Sequence, residues 1–133
     1  MKKAGKMAQK ESRKQTILIV EDEPILGKVC ARILESNGYL VNLAANGTIA
    51  ISMVQNTHFD ICLSDIRTPE MNGIDFYKYL KEKHPRLAEK TIFMTGDVMS
   101  NEIKSFLEGN SIKFILKPFT EAELNSAVSE FIK

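Results

Sequence analysis

Apolar residues in this chain fall into two rhythms that alternate along its length. Residues 16–20 form an unbroken apolar run rich in β-branched side chains, which predicts a strand. Behind Pro24, which suits a helix's first turn, Ile25, Leu26, Val29, Cys30, Ile33 and Leu34 recur at helical spacing until Asn37-Gly38 stops them. A second strand over 39–44 and a short helix over 47–55 follow, the helix carrying Ile49, Met53 and Val54. Residues 59–64 carry the continuous apolar stretch Ile61-Cys62-Leu63 instead of an alternating pattern, which predicts a strand buried on both faces near the sheet's centre. After Pro69 and Asn72-Gly73, a helix over 73–83 offers Ile74, Phe76, Tyr77 and Leu80, and His84-Pro85 ends it. Residues 91–95 form a fourth strand, 98–108 a weaker helix with Met99, Ile103, Phe106 and Leu107, and 113–116 a fifth strand. Thr120 and Glu123 make a capping-box pattern that opens a last helix with Leu124, Ala127, Val128 and Phe131. Five βα units in alternation predict an α/β fold, a parallel sheet with helices on both faces.

That order gives the polar residues at the strand ends a shared address. Glu21 and Asp22 follow the first run, Asp65 the third and Lys117 the fifth, while Thr95 ends the fourth. In a parallel sheet all of them emerge at the carboxyl edge, where open α/β sheets bind ligands. Singly they say little, since an acidic run is usually a solvated face and a lone Asp after a strand usually caps a turn. Together they crowd like charges, which is unfavourable without compensation. A divalent cation held by carboxylate oxygens compensates, and Mg²⁺, with Mn²⁺ as its substitute, is the cation that suits them. A metal site beside a nucleophilic carboxylate and a fixed amine is a device for phosphoryl transfer onto that carboxylate.

The segments ILIVEDEP at 17–24, SDIRTPEMNG at 64–73, FMTG at 93–96 and FILKPF at 114–119 resemble, in order and spacing, the receiver domain of two-component response regulators. The resemblance covers about residues 16–131. It implies a flavodoxin-like doubly wound five-stranded parallel sheet of order 2-1-3-4-5 with five helices. It also implies that Asp65 is the phosphoacceptor and that Asp22 ligates Mg²⁺ directly while Glu21 acts through water. The backbone carbonyl of Arg67 would be a further ligand, Lys117 and the switch hydroxyl of Thr95 would contact the phosphoryl group, and Lys117-Pro118 would be cis. Three residues depart from common family usage: Thr68 before the loop proline, Phe114 where many members carry tyrosine, and Arg67 two positions past Asp65. None removes the chemistry. Such a domain catalyses its own phosphorylation and dephosphorylation without being a turnover enzyme.

Bulk properties narrow the surroundings. At 133 residues the chain fits one domain, given roughly 100–200 residues per domain. No apolar run approaches the length of a membrane span. Cys30 and Cys62 lie in apolar patterns without metal-ligand spacing and read as reduced core thiols of a cytoplasmic protein. Residues 1–15 hold six basic groups against Glu11, a net +5, while the remaining 118 residues carry −4. With no aromatic residue to stack on bases, that segment is read as a basic flexible leader or linker ahead of a receiver at 16–133. The expected donor is a histidine kinase or histidine phosphotransfer domain. The expected output is a downstream protein contacting the helix 98–108, strand 113–116 and helix 121–132 face, without direct nucleic-acid binding. The charged lead-in, the FMTGD segment and the end after the last helix fit a receiver from a hybrid sensor kinase. An Asp-nucleophile phosphohydrolase is the alternative, but Arg67 stands where a common hydrolase pattern has Asp, and no insertion is long enough for a cap. A flavin carrier would want small and amide-rich residues in the first loop, which is acidic instead.

Overall fold

A computed structural model describes residues 14–67, 71–96 and 101–132. Residues 1–13 of the leader, Thr68, and the 98–100 start of the weaker helix with its Met99 lie outside the described residues. The strands are β1 (Thr16–Val20), β2 (Leu40–Ala44), β3 (Ile61–Asp65), β4 (Thr91–Thr95) and β5 (Lys113–Leu116). The helices are α1 (Pro24–Ser36), α2 (Gly47–Asn56), α3 (Gly73–Lys83), α4 (Pro85–Glu89), α5 (Asn101–Gly109) and α6 (Glu121–Ser129). All strand pairs are parallel and the order is β2-β1-β3-β4-β5.

The two-residue period of a strand sorts the core into two halves. Ile17, Ile19, Ile61, Leu63, Ile92 and Met94 meet Cys30 and Leu34 of α1 and Leu124, Ala127 and Val128 of α6. Leu18, Val20, Cys62 and Phe93 face the other way, against Ala50, Val54, Phe76, Tyr77, Leu80, Ile103 and Leu107 of the helices opposite. Only β3 and β4 are buried at every position, as residues covered on both faces must be. The edge strand β5 leaves alternate residues in water, and β2 leaves Leu40, Asn42 and Leu43 exposed.

Local signals end and start the helices as expected. Asn37 caps the end of α1 and Gly38 turns the chain at φ +94°. Asn46, Asn72 and Thr120 accept backbone N–H bonds at the starts of α2, α3 and α6, the last as a full capping box with Glu123.

Five expectations need correction, the first being the last helix, which ends at Ser129 instead of 132 and leaves Phe131 outside it. Six helices are described, not five, because Pro85 both ends α3 and serves as the first residue of α4. The third strand starts at Ile61, so Phe59 is buried but outside it, and Asp65 is its last residue. The second strand starts at Leu40, not Tyr39. The apolar repeat of α1 is wider than the sheet can cover, leaving Ile25 80% and Val29 47% exposed while Cys30 and Leu34 are fully buried.

That contrast on one helix predicts two different costs. Leu34→Ala should lose about 2–5 kcal/mol of folding free energy, and Val29→Ala about 0.5 kcal/mol or less. Urea unfolding of both variants checks this, and equal losses would contradict the placement of the helix.

Candidate functional site

Three backbone hydrogen bonds carry the sheet's register past the strand ends and into the site. Glu21 N donates to Ala44 O at 2.9 Å, Ile66 N to Met94 O at 3.2 Å, and Lys117 N to Thr95 O at 2.9 Å. Val20 is in register with Ser64 and Asp65 with Met94, so Glu21 stands beside Asp65 and Thr95 lies one residue past Asp65's partner. Gly73 makes room on the other side. A Cβ there would lie 2.8 Å from Asp65 O and 2.9 Å from the Phe93 ring, so the start of α3 reaches β3 only without a side chain. Sequence reading treats Gly73 as a helix start, because its contact partners are remote in the chain.

The resulting cluster is tightly connected. Lys117 Nζ donates to Asp65 Oδ2 at 2.8 Å and to Glu21 Oε1 at 3.1 Å. Glu21 Oε2 accepts from Glu23 N, and Asp65 Oδ1 accepts from Arg67 N, each at 3.1 Å. Glu21 and Asp65 are buried, Asp22 and Arg67 are exposed, and Thr95 is buried at the end of β4. One oxygen each from Glu21, Asp22 and Asp65 lies within 4.8 Å of the other two. Five predicted residues, Glu21, Asp22, Asp65, Arg67 and Lys117, thus share one site, with Thr95 at its edge. Phe114 is not part of it, being on β5 and 42% exposed.

Electrostatics show an under-compensated site. Burial pushes the Glu21 carboxyl from 4.5 up to about 7, and the neighbouring Asp65 charge adds to the rise. The Glu23 backbone bond and Lys117 oppose the shift without cancelling it. Burial of the Lys117 amine favours its neutral form, but bonds and charges from Asp65 and Glu21 outweigh this and raise its pKa overall. One ammonium therefore serves two buried carboxylates and an exposed third. All the acidic donors are hard oxygens, so the site fits Mg²⁺ by donor chemistry. A wide groove lined by His58, Asp60, His84, Arg86 and Lys90 lies at the amino-terminal edge of the sheet, away from these groups.

Residues 17–129 match the family model described as the response regulator receiver domain. Sensor kinase CckA of Brucella abortus is 32% identical over 89% of this chain, and transcription factor SKN7 of Candida albicans 29% over 87%. The chain spans only 12% and 20% of those two proteins. Among solved structures, the receiver domain of a histidine kinase from Syntrophus aciditrophicus has 32% identity and a TM-score of 0.79, with 89% of each chain covered. The receiver domain of a sensor histidine kinase from Pseudomonas aeruginosa, described with magnesium coordinated in its active-site cleft, has 28% identity and a TM-score of 0.79. That match covers 90% of this chain and 98% of the other.

The raised Glu21 pKa sets a direction for stability in metal-free protein. Folding is favoured by Glu21 protonation below its unfolded value, and that contribution is lost as pH rises through about 7. In EDTA, wild type should therefore lose up to roughly 3 kcal/mol relative to Glu21→Gln between pH 5 and pH 8. Urea midpoints of both proteins across that range check it, and a difference independent of pH would contradict the cause given.

Proposed function

Because the chain belongs to the response regulator receiver domain family, and so is a receiver of two-component signalling, we propose that Asp65 is the residue it phosphorylates. The observation that supports this most directly is the 2.8 Å contact of Lys117 with Asp65 inside a triad of carboxylates. A nucleophilic oxygen, a fixed ammonium and a set of hard oxygen donors meet at no other group of side chains among the described residues. No observation favours the phosphohydrolase alternative.

In this reading the donor is a phosphorylated imidazole on a histidine kinase or phosphotransfer protein, the kinds of protein with which receiver domains interact. An Asp65 carboxylate oxygen attacks phosphorus in line, the O–P bond forms as the P–N bond breaks, and the imidazole leaves with the electron pair. Glu21, Asp22, Asp65 and the backbone carbonyl of Arg67 would hold Mg²⁺ or Mn²⁺. Bound there, the cation would neutralise charge on the phosphoryl oxygens. Lys117 holds Asp65 in place and offers its ammonium to another phosphoryl oxygen. The Thr95 hydroxyl is the neutral donor nearest to the new charge, and the exposed Arg67 side chain governs how water reaches the acyl phosphate. The receiver unit comprises residues 16–133, with the basic 1–15 segment as a leader or linker. The buried free thiols Cys30 and Cys62 agree with a reducing cytoplasm.

Phosphorylation adds roughly −1.5 to −2 charge and three acceptor oxygens. Drawing Thr95 toward them vacates space beside β5, into which Phe114 turns. The signal leaves through α5, β5 and α6 to a downstream protein. The outward, 42% exposed Phe114 supports this as the resting arrangement.

Two measurements test the proposal. With acetyl phosphate and Mg²⁺, wild type should gain one phosphoryl mass and Asp65→Asn should gain none; a full adduct on the variant would remove Asp65 from its role. Beryllofluoride with Mg²⁺, a mimic of the phosphorylated state, should shift backbone amides over 101–116 as well as those around Asp65. Shifts confined to the loops around Asp65 would mean that this switch does not operate.

A further inference from the structure

Gly47 opens α2, carries no functional group and is buried. A Cβ built on it would stand 2.9 Å from the main-chain oxygen of Met71 and 3.0 Å from Met71 Cβ and Cγ. The first contact matters most, because a backbone oxygen cannot swing aside as the tip of a side chain can.

Met71 is itself held from several sides. It packs against the cluster that includes Ala50, Val54 and Phe76. Its neighbour Asn72 caps α3 by accepting from Asp75 N at 2.9 Å, and Gly73 N donates to Ile66 O at 2.8 Å. The chain therefore leaves β3 at Asp65 and returns to touch it at Gly73. In between, Met71 is seated against the first turn of α2. Met71 stands two residues before Gly73, so a shift of Met71 is carried to Ile66 through the Gly73 N–H bond and to Asp65 through the close packing at Gly73.

The plainer reading is that Gly47 serves close packing, so that a side chain there costs stability and nothing else. The placement of the contact argues for more. It lies four residues beyond Arg67, whose N–H bonds Asp65 Oδ1. We propose that the Gly47–Met71 contact is a positioning device that sets the Asp65–Arg67 segment for metal binding and phosphorylation. Gly47 is thus a positioning residue and not a catalytic one. The inference rests on the metal and phosphoryl reading of Asp65 and its acidic neighbours.

The test uses the full chain and a control matched for lost stability. Gly38→Ala strains the backbone at φ +94° but meets nothing within 4 Å, and it lies in the turn between α1 and β2 at the other edge of the sheet. Mg²⁺ affinity and the rate of phosphorylation by acetyl phosphate are measured for wild type, Gly47→Ala and Gly38→Ala, with urea unfolding alongside. Gly47→Ala should weaken Mg²⁺ binding and slow phosphorylation roughly tenfold each. Gly38→Ala should lose stability yet keep both within about twofold of wild type. If Gly47→Ala does not fold, wild type still decides the matter. Mg²⁺ alone should then shift the amides of Gly47, Thr48 and Ile49 together with those of Asp65–Arg67. Wild-type Mg²⁺ affinity in Gly47→Ala, an equal loss in Gly38→Ala, or Mg²⁺ shifts that spare 47–49 would each overturn the positioning role. No Mg²⁺ shift around Asp22 and Asp65 at all would overturn the metal reading itself, and the positioning role with it.

Discussion

The ammonium of Lys117 holds this site together. Glu21 and Asp65 are both nearly excluded from water, and two unscreened carboxylates side by side in such a place would drive one another to protonate. Lys117 reaches both, at 3.1 Å and 2.8 Å, and its backbone N–H is itself tied to the end of β4 through Thr95 O. A single positive charge does not balance three acids, however. Burial pushes the Glu21 carboxyl up to about 7 and the Cys30 thiol up to about 11, and the negative charge of the site adds to both shifts, from Asp65 on Glu21 and from Glu21 on Cys30. That shortage of positive charge is what makes the three carboxylates a fit for a divalent cation.

Rigidity around that imbalance comes from the sheet. β3 and β4 are buried along their whole length, so Asp65 and Thr95 sit at the ends of the two strands most closely packed on both faces. The edge strand β5 is half exposed, with Phe114 and Leu116 turned toward water. The strand that links β3 to that edge is β4, to which both β3 and β5 are paired.

The sequence made the site legible because its residues stand at breaks in the apolar pattern. A polar residue ending a run such as 59–64 or 113–116 is visible in one dimension, and parallel topology turns the run ends into neighbours. Strands β1, β4 and β5 were legible to the residue for the same reason. What escaped depends on contacts between distant segments. The α1 pattern marks Ile25 and Val29 as apolar, yet nothing in it tells how wide an arc the sheet covers. Pro85 carries two opposite meanings, helix end and helix start, and only the backbone around it selects both. Gly47 and Gly73 look like ordinary helix openings until their nearest atoms, on Met71 and Asp65, are known.

The aromatic packing beside β5 limits how the switch can work. Tyr77, Phe93 and Phe106 form a mutual edge-on trio with ring centroids 5.5–6.1 Å apart. Phe93 is the register partner of Phe114. The trio therefore lies on the sheet face that Phe114 shares with Phe93, and interiors at this density do not admit a further ring without rearrangement. Phe106 belongs to α5, so the group that must yield is on the helix nearest the rim. Turning Phe114 inward removes apolar surface from water, a gain offset by the cost of reopening the trio. Without a phenolic hydroxyl to anchor either position, the balance is set by packing alone. In the proposed switch, such a balance would leave the two states close in free energy, the condition under which a single phosphoryl group can decide between them.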